Sequence, residues 1–242
     1  MKGKISILGV PFDDLNMAEA VDKTISFMAE DSFAMICAPN PEIVMNARAD
    51  GGFMKLLNSA DMVVADGVGV VWASKYFGKQ LEERVSGYDL AQGIFEKMKD
   101  TEYTAYFFGG KPGVAEKAKQ EMEKKYPGLK IIGVNDGYFD DEKERIIIED
   151  IKNKKPNLLL LGLGSPKQER WMYDNRYFLR GTVCMGVGGS FDVMAGNIKR
   201  APMVFQKLGL EWFYRLIIQP TRFKRMLKLP EFVLCVLMNR GK

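Results

Sequence analysis

The sequence predicts an α/β protein: a Rossmann-like, mostly parallel sheet with helices on both faces, followed by a C-terminal helical appendage. Three observations carry this. Over residues 4–195, short β-rich runs alternate with amphipathic stretches of helical period. Several runs, such as 158–163, are apolar throughout, as strands covered on both faces are. After Gly196 the composition changes to two strongly apolar stretches separated by Pro220 and a basic segment.

Taken in order, Ile-Ser-Ile-Leu at 5–8 opens as a strand and 17–28 has the apolar spacing of a helix. Ala-Met-Ile-Cys-Ala at 34–38 is the next strand, with a helix over 41–47. The run 62–65 leads to a helical pattern at 70–76, and a further helix spans 91–98. Strands at 105–108, 130–134, 158–161 and 183–187 follow, separated by helices at 114–124, 142–152 and 167–175. This alternation means right-handed crossovers. The body is therefore assigned to residues 1–195. Residues 196–242 form the appendage, with apolar helices at 203–218 and 229–238 that must pack on the body, on a second copy or on a lipid surface.

The chain has 242 residues, 47% of them hydrophobic and 27% charged, which suits a globular fold and excludes disordered or collagen-like classes. Its three cysteines (Cys37, Cys184, Cys235) are scattered and read as buried thiols of a reducing compartment. There is no histidine. That excludes Ser-His-Asp and Cys-His catalysis and every His-ligated metal site, so a general base is expected to be a carboxylate. No run reaches the ~18 apolar residues of a spanning helix, and no signal peptide is expected at the start. Charge is uneven. Residues 199–242 carry ten basic against two acidic side chains, a net +8 within a total of +4, so the remainder is net acidic. A basic tail with interleaved aromatics points to an anionic partner, a phosphorylated lipid or anionic membrane surface, more than to nucleic acid.

In an open α/β sheet, ligands bind beyond the carboxyl ends of the strands. Six successive expected strand ends are rich in Gly, Asn or Asp. They are Pro39-Asn40-Pro41-Glu42, Asp66-Gly67-Val68-Gly69, Gly109-Gly110-Lys111, Asn135-Asp136-Gly137-Tyr138, Gly162-Leu163-Gly164-Ser165 and Gly188-Gly189-Ser190-Phe191-Asp192. Any one of them can be a tight strand-to-helix turn and nothing more. Together they favour an anion site made of N–H groups. P-loop and dinucleotide spacings are both missing, so a nucleotide would be held by other means. Asp66 ends an apolar strand before a glycine, which suits either the floor of a cleft or the N-cap of the next helix. Asp192 has the same two readings. No Asp-x-Asp occurs, so the usual carboxylate clamp for a nucleotide-sugar metal is absent from the sequence.

Taken together, these loops resemble a known family. Arg84-Val-Ser-Gly-Tyr-Asp-Leu90, Phe108-Gly-Gly-Lys-Pro-Gly113, Gly164-Ser-Pro-Lys-Gln-Glu169, Gly186-Val-Gly-Gly-Ser-Phe-Asp192 and Arg200-Ala-Pro202 followed by Gly209-Leu-Glu-Trp212 are similar to the WecG/TagA/CpsF glycosyltransferases, in order along nearly the whole chain. The resemblance implies transfer of N-acetylmannosamine from UDP-N-acetylmannosamine to undecaprenyl-diphosphate-linked N-acetylglucosamine, as in wall teichoic acid linkage-unit synthesis. It further implies inversion, no cofactor and no metal. It gives Asp66 as the catalytic base, Arg84 as a catalytic arginine beside the cleft, and Gln168, with Asn40, as cleft residues near the donor sugar. Ala38, Asn40 and Gly110 fall in substrate-binding loops, and Tyr138 and Asp192 match positions that hold the uracil. Arg215, Arg222 and Arg225 match tail arginines that close over the diphosphates. The implied setting is peripheral, on the inner face of the cell membrane, with a homo-oligomer open as a further use of the apolar tail. At one position the chain departs: the family's usual Thr before Pro-Asn is Ala38, and its hydroxyl is missing. Another UDP-sugar donor, or a non-catalytic binding role, are the alternatives.

Overall fold

The computed structural model describes residues 3–239. It opens with β1 (Lys4–Ile7) and β2 (Val10–Asp13), paired antiparallel as a separate two-stranded sheet. The strand expected at 5–8 is present, and its partner over 10–13 is one that the sequence pattern does not signal. Leu8 and Gly9 both have positive φ, 51° and 94°. That two-residue turn has the twist that folds a strand straight back on its neighbour.

The main sheet comprises β3 (Ala34–Cys37), β4 (Met62–Val63), β5 (Thr104–Gly109), β6 (Lys130–Asn135), β7 (Leu158–Gly162) and β8 (Val183–Gly186), in the order β4-β3-β8-β7-β5-β6. Every pairing is parallel. Through the body the helices are α1 (Met17–Met28), α2 (Pro41–Ala49), α3 (Gly51–Asn58), α4 (Val68–Tyr76), α5 (Gly87–Met98), α6 (Val114–Lys125), α7 (Asp141–Lys154), α8 (Lys167–Asp174) and α9 (Ser190–Met194).

The period of two along each strand sorts the core into two layers. Met35, Cys37, Tyr106, Phe108, Leu159, Leu161 and Cys184 point to one face, covered by the hairpin, α2, α3, α7 and α8. Ala34, Ile36, Ala105, Phe107, Leu158, Leu160 and Met185 point to the other, covered by α1, α5, α6 and α9. Helix starts follow from short polar side chains. Asn16 and Glu19 form a capping box on α1, and Asp140 accepts from the Lys143 N–H at 2.9 Å to begin α7. The apolar pattern does not signal α3. Asp50 nucleates it by accepting from the N–H groups of Gly52 and Phe53, both at 3.0 Å.

The tail is a chain of short helices. Residues 203–218, expected as one helix, divide into α10 (Met203–Lys207) and α11 (Glu211–Ile218) around Gly209, whose φ is 70°. A Cβ there would stand 2.8 Å from the Val68 side chain, so the break also lets the tail lie close on α4. A 3-10 turn (Pro220–Arg222), α12 (Phe223–Met226) and α13 (Lys228–Met238) follow. Helix α13 packs on α2 and α4 and buries Phe232 and Val236 in the first core layer. By contrast Met203, Val204, Leu208, Ile217 and Phe223 are exposed. Among the described residues no helix is long and apolar enough to cross a membrane.

Candidate active site

The segments that follow β3, β4, β7 and β8 open into a cleft of about 560 Å³, and α11 to α13 form its opposite wall. It therefore lies at the carboxyl ends of four neighbouring strands, where an open parallel sheet presents loop backbone to a ligand.

Asp66 stands at the floor. The residue that caps α4 is Gly67, with φ 112° and no side-chain cap bond, so Asp66 is released from capping duty and turned into the cleft. Its Oδ2 faces the Gly87 N–H at 3.5 Å, and its Oδ1 lies 3.8 Å from Arg84 Nη2. Burial by the cleft walls pushes the Asp66 carboxyl above its ordinary range, against the opposing pull of Arg84 and Arg215. A carboxylate made more basic in this way is suited to accept a proton from a hydroxyl.

Around it the first loop contributes Ala38 and Asn40. Asn40 caps α2, its side-chain oxygen accepting from the Ile43 N–H at 3.0 Å, while Pro41 starts the helix. Its amide nitrogen remains available to the cleft. Ala38 lies against Gly87, with 3.4 Å between its Cβ and the place a Gly87 Cβ would take. On the other side Gln168 is clamped at both ends. Its Nε2 donates to Glu169 Oε1 at 2.9 Å, and its Oε1 accepts from the Gly188 N–H at 3.1 Å. Gly186 is required beneath it, because a Cβ there would sit 2.4 Å from Gln168 Nε2. Glu169 is buried, which pushes its carboxyl upward, and the Gln168 bond pulls the other way.

The tail supplies the positive wall. Arg215, Arg222 and Arg225 all line the cleft. Arg225 Nε donates to Glu42 Oε1 at 2.7 Å, tying α12 to α2. Arg222 is held below the usual guanidinium range by burial and by the like charges of Arg215 and Arg225, with Glu42 and Asp192 partly compensating. Positive charge gathered this densely favours an anionic ligand. Among the described residues no group of three or more His, Cys, Asp or Glu side chains is placed to hold a metal ion.

Two carboxylates that pair with arginines in this cleft escaped sequence reasoning. Glu42 balances Arg225, and Glu211 accepts from Arg84 and lies 3.8 Å from Arg200 Nε. Their signal in the sequence is slight: Glu42 follows the first cleft loop, and Glu211 is one of two acids in a basic tail.

Of the residues nominated from sequence, Asp66, Arg84, Gln168, Ala38, Asn40, Arg215, Arg222 and Arg225 share this cleft. Gly110, Tyr138 and Asp192 are not in its lining. Gly110 and Tyr138 follow β5 and β6, which the strand order puts at the far edge from β3 and β4. There the Gly137 N–H donates to Gly110 O at 2.9 Å, joining the two loops, and Tyr138 is exposed. Asp192 lies in the first turn of α9, behind the cleft-lining Gly189 and Ser190, where its charge acts on Arg222.

The sequence matches the glycosyl transferase WecG/TagA/CpsF family over residues 5–242. It is 34% identical over 233 residues to the N-acetylglucosaminyldiphosphoundecaprenol N-acetyl-beta-D-mannosaminyltransferase of Bacillus subtilis, covering 96% of this chain and 90% of that protein. The identically named proteins of Bacillus spizizenii and Staphylococcus aureus are each 36% identical. Those matches cover 88% and 95% of this chain and 82% and 91% of the relatives. With a family match over nearly its whole length and relatives of this similarity, the chain belongs to the WecG/TagA/CpsF family of glycosyl transferases.

Proposed function

We propose that the protein transfers N-acetylmannosamine from UDP-N-acetylmannosamine to the N-acetylglucosamine of an undecaprenyl-diphosphate-linked acceptor. The supporting observation is the pairing of one cleft carboxylate of raised pKa, Asp66, with a facing wall of three arginines. The relatives' names supply the sugar and the acceptor.

In this reading the acceptor hydroxyl attacks the anomeric carbon and gives its proton to Asp66. The bond from that carbon to the UDP oxygen breaks, and its electron pair leaves on the β-phosphate. Arg215, Arg222 and Arg225 offset the charge that develops there, the role a metal serves in other transferases. Asn40 and Gln168 face the donor sugar with amides whose orientation is fixed by the N–H groups of Ile43 and Gly188 and, for Gln168, by the Glu169 carboxylate. Tyr138 and Asp192 are assigned to the uracil, beyond the cleft. A single displacement inverts the anomeric centre. Incubation with UDP-N-acetylmannosamine and a short-chain prenyl-diphosphate N-acetylglucosamine is expected to yield a lipid-linked disaccharide, and EDTA is expected to leave the rate unchanged. A rate that collapses in EDTA and returns with magnesium or manganese contradicts the arginine assignment. Product from UDP-glucose alone contradicts the donor.

The tail in this reading is also the attachment to an anionic membrane face, where the lipid acceptor resides. The exposed Ile217 and Phe223, together with neighbouring Lys224 and Lys228, support it. Each basic side chain near an anionic leaflet contributes about 1 kcal/mol. Ile217→Ser with Phe223→Ser, outside the cleft lining, is expected to weaken sedimentation with phosphatidylglycerol vesicles roughly tenfold. Turnover of a water-soluble acceptor should persist. Unchanged vesicle binding with an altered molecular mass assigns this face to a second copy instead.

A further inference from the structure

Asp66 has an arginine beside it that is engaged elsewhere. Arg84 Nη2 donates to Glu211 Oε2, and the same nitrogen stands 3.8 Å from Asp66 Oδ1. Glu211 belongs to α11, 127 residues further along the chain. Its other oxygen lies 3.8 Å from Arg200 Nε. Arg200 Nη2 in turn donates to Asp89 Oδ2 at 2.7 Å, and Asp89 accepts from Ser86 Oγ, the N-cap of α5, at 2.6 Å. Glu211 is thus held by two arginines, Arg84 of the body and Arg200 at the start of the appendage, and Arg84 adjoins the base.

We propose that Glu211 is a positioning residue that holds Arg84 off Asp66, so that the base carboxylate stays free to take the acceptor's proton. The proposal rests on the reading of Asp66 as base. A guanidinium that closes on a carboxylate occupies its lone pairs and stabilises its charged form, which weakens it as a base. The groups facing Asp66 are Arg84 and the Gly87 N–H from the body and Arg215 and Glu211 from α11. Of these, Glu211 alone opposes the ionised form. Without it, Arg84 has one carboxylate left within reach. Because Glu211 rides on the tail, the base is available only while α11 is seated, which couples docking of the tail to chemistry.

The test is the pH dependence of kcat and kcat/KM for the full-length enzyme and its Glu211→Gln, Glu211→Asp and Arg84→Gln variants. Glu211→Gln is expected to lower kcat about tenfold, leave the donor KM within about threefold, and move the acidic limb down by roughly half to one pH unit. Glu211→Asp, which keeps the charge, should hold the limb near its wild-type position. In an Arg84→Gln background, Glu211→Gln should add no further shift. A wild-type limb and rate in Glu211→Gln overturn the proposal. So does an equal shift in the Arg84→Gln background. If Glu211→Gln does not fold, Glu211→Asp is read with and without Arg84→Gln, and a downward shift that persists in the Arg84→Gln background overturns it equally. Asp66→Asn separates the two levels. A fully active Asp66→Asn removes the base reading itself, whereas a dead Asp66→Asn beside an unaltered Glu211→Gln removes only the role of Glu211.

Discussion

Asp66→Asn is expected to reduce sugar transfer by about 10²–10⁴-fold, the usual cost of removing a general base. The change is nearly isosteric, and Asp66 caps no helix, so the fold should be kept. UDP affinity should stay within a few-fold of wild type, because in the proposed reading the diphosphate is held by Arg215, Arg222 and Arg225 and not by Asp66. The same carboxyl sets a sign for pH. Its pKa lies above the ordinary 3.8 because burial outweighs the pull of Arg84 and Arg215. The base is therefore protonated and inactive below that raised value, and kcat/KM should climb as pH rises through it. An acidic limb at or below the ordinary carboxylate value, or an Asp66→Asn variant keeping more than half the turnover, contradicts the assignment. Isothermal titration with UDP beside the rate assay reads both parts.

The second large effect is expected in the tail. Changing Arg215, Arg222 and Arg225 together to glutamate should lower kcat/KM by at least about 10³-fold, since loss of one preorganised donor to a developing anion already costs about 10²–10³. The gentler Arg222→Ala separates charge from folding. Arg222 is crowded by two like charges and held below its usual range in the free protein. Its removal should therefore leave Tm unchanged or raise it slightly while activity falls about a hundredfold. Arg225→Ala should differ, because the buried Glu42 would lose its partner. Leaving a buried charge unpaired costs several kcal/mol, and Tm should drop. A thermal melt and a rate for each variant decide the matter. If the triple variant turns over at the wild-type rate, the arginines are a solvated surface and no part of the site.

How much of this was legible in the sequence follows from what each feature depends on. The two-faced sheet is written locally, as apolar runs in which alternate residues serve alternate layers. Asp66, Asn40 and Gln168 could be nominated because a residue just beyond a strand end is carried to the sheet edge by the fold class alone. The second strand of the hairpin is not legible because the turn before it uses Leu8 at positive φ, a conformation that an apolar residue does not advertise. The loops at Gly110 and Tyr138 look equivalent to the others in sequence. They differ only through strand order, which puts β5 and β6 at one edge of the sheet, away from β3 and β4. The contact of Arg84 with Glu211 was illegible for a different reason. It depends on how α11 is angled after the break at Gly209, and neither periodicity nor charge pattern encodes that angle.

The most direct measurement of the central claim is the anomeric configuration of the disaccharide made from UDP-N-acetylmannosamine and a prenyl-diphosphate N-acetylglucosamine, read by NMR. One base opposite a wall of arginines predicts a single displacement, and so a product inverted relative to the donor. A product that retains the donor's configuration requires a second displacement by another nucleophile. That result, or the absence of any disaccharide, would contradict the account.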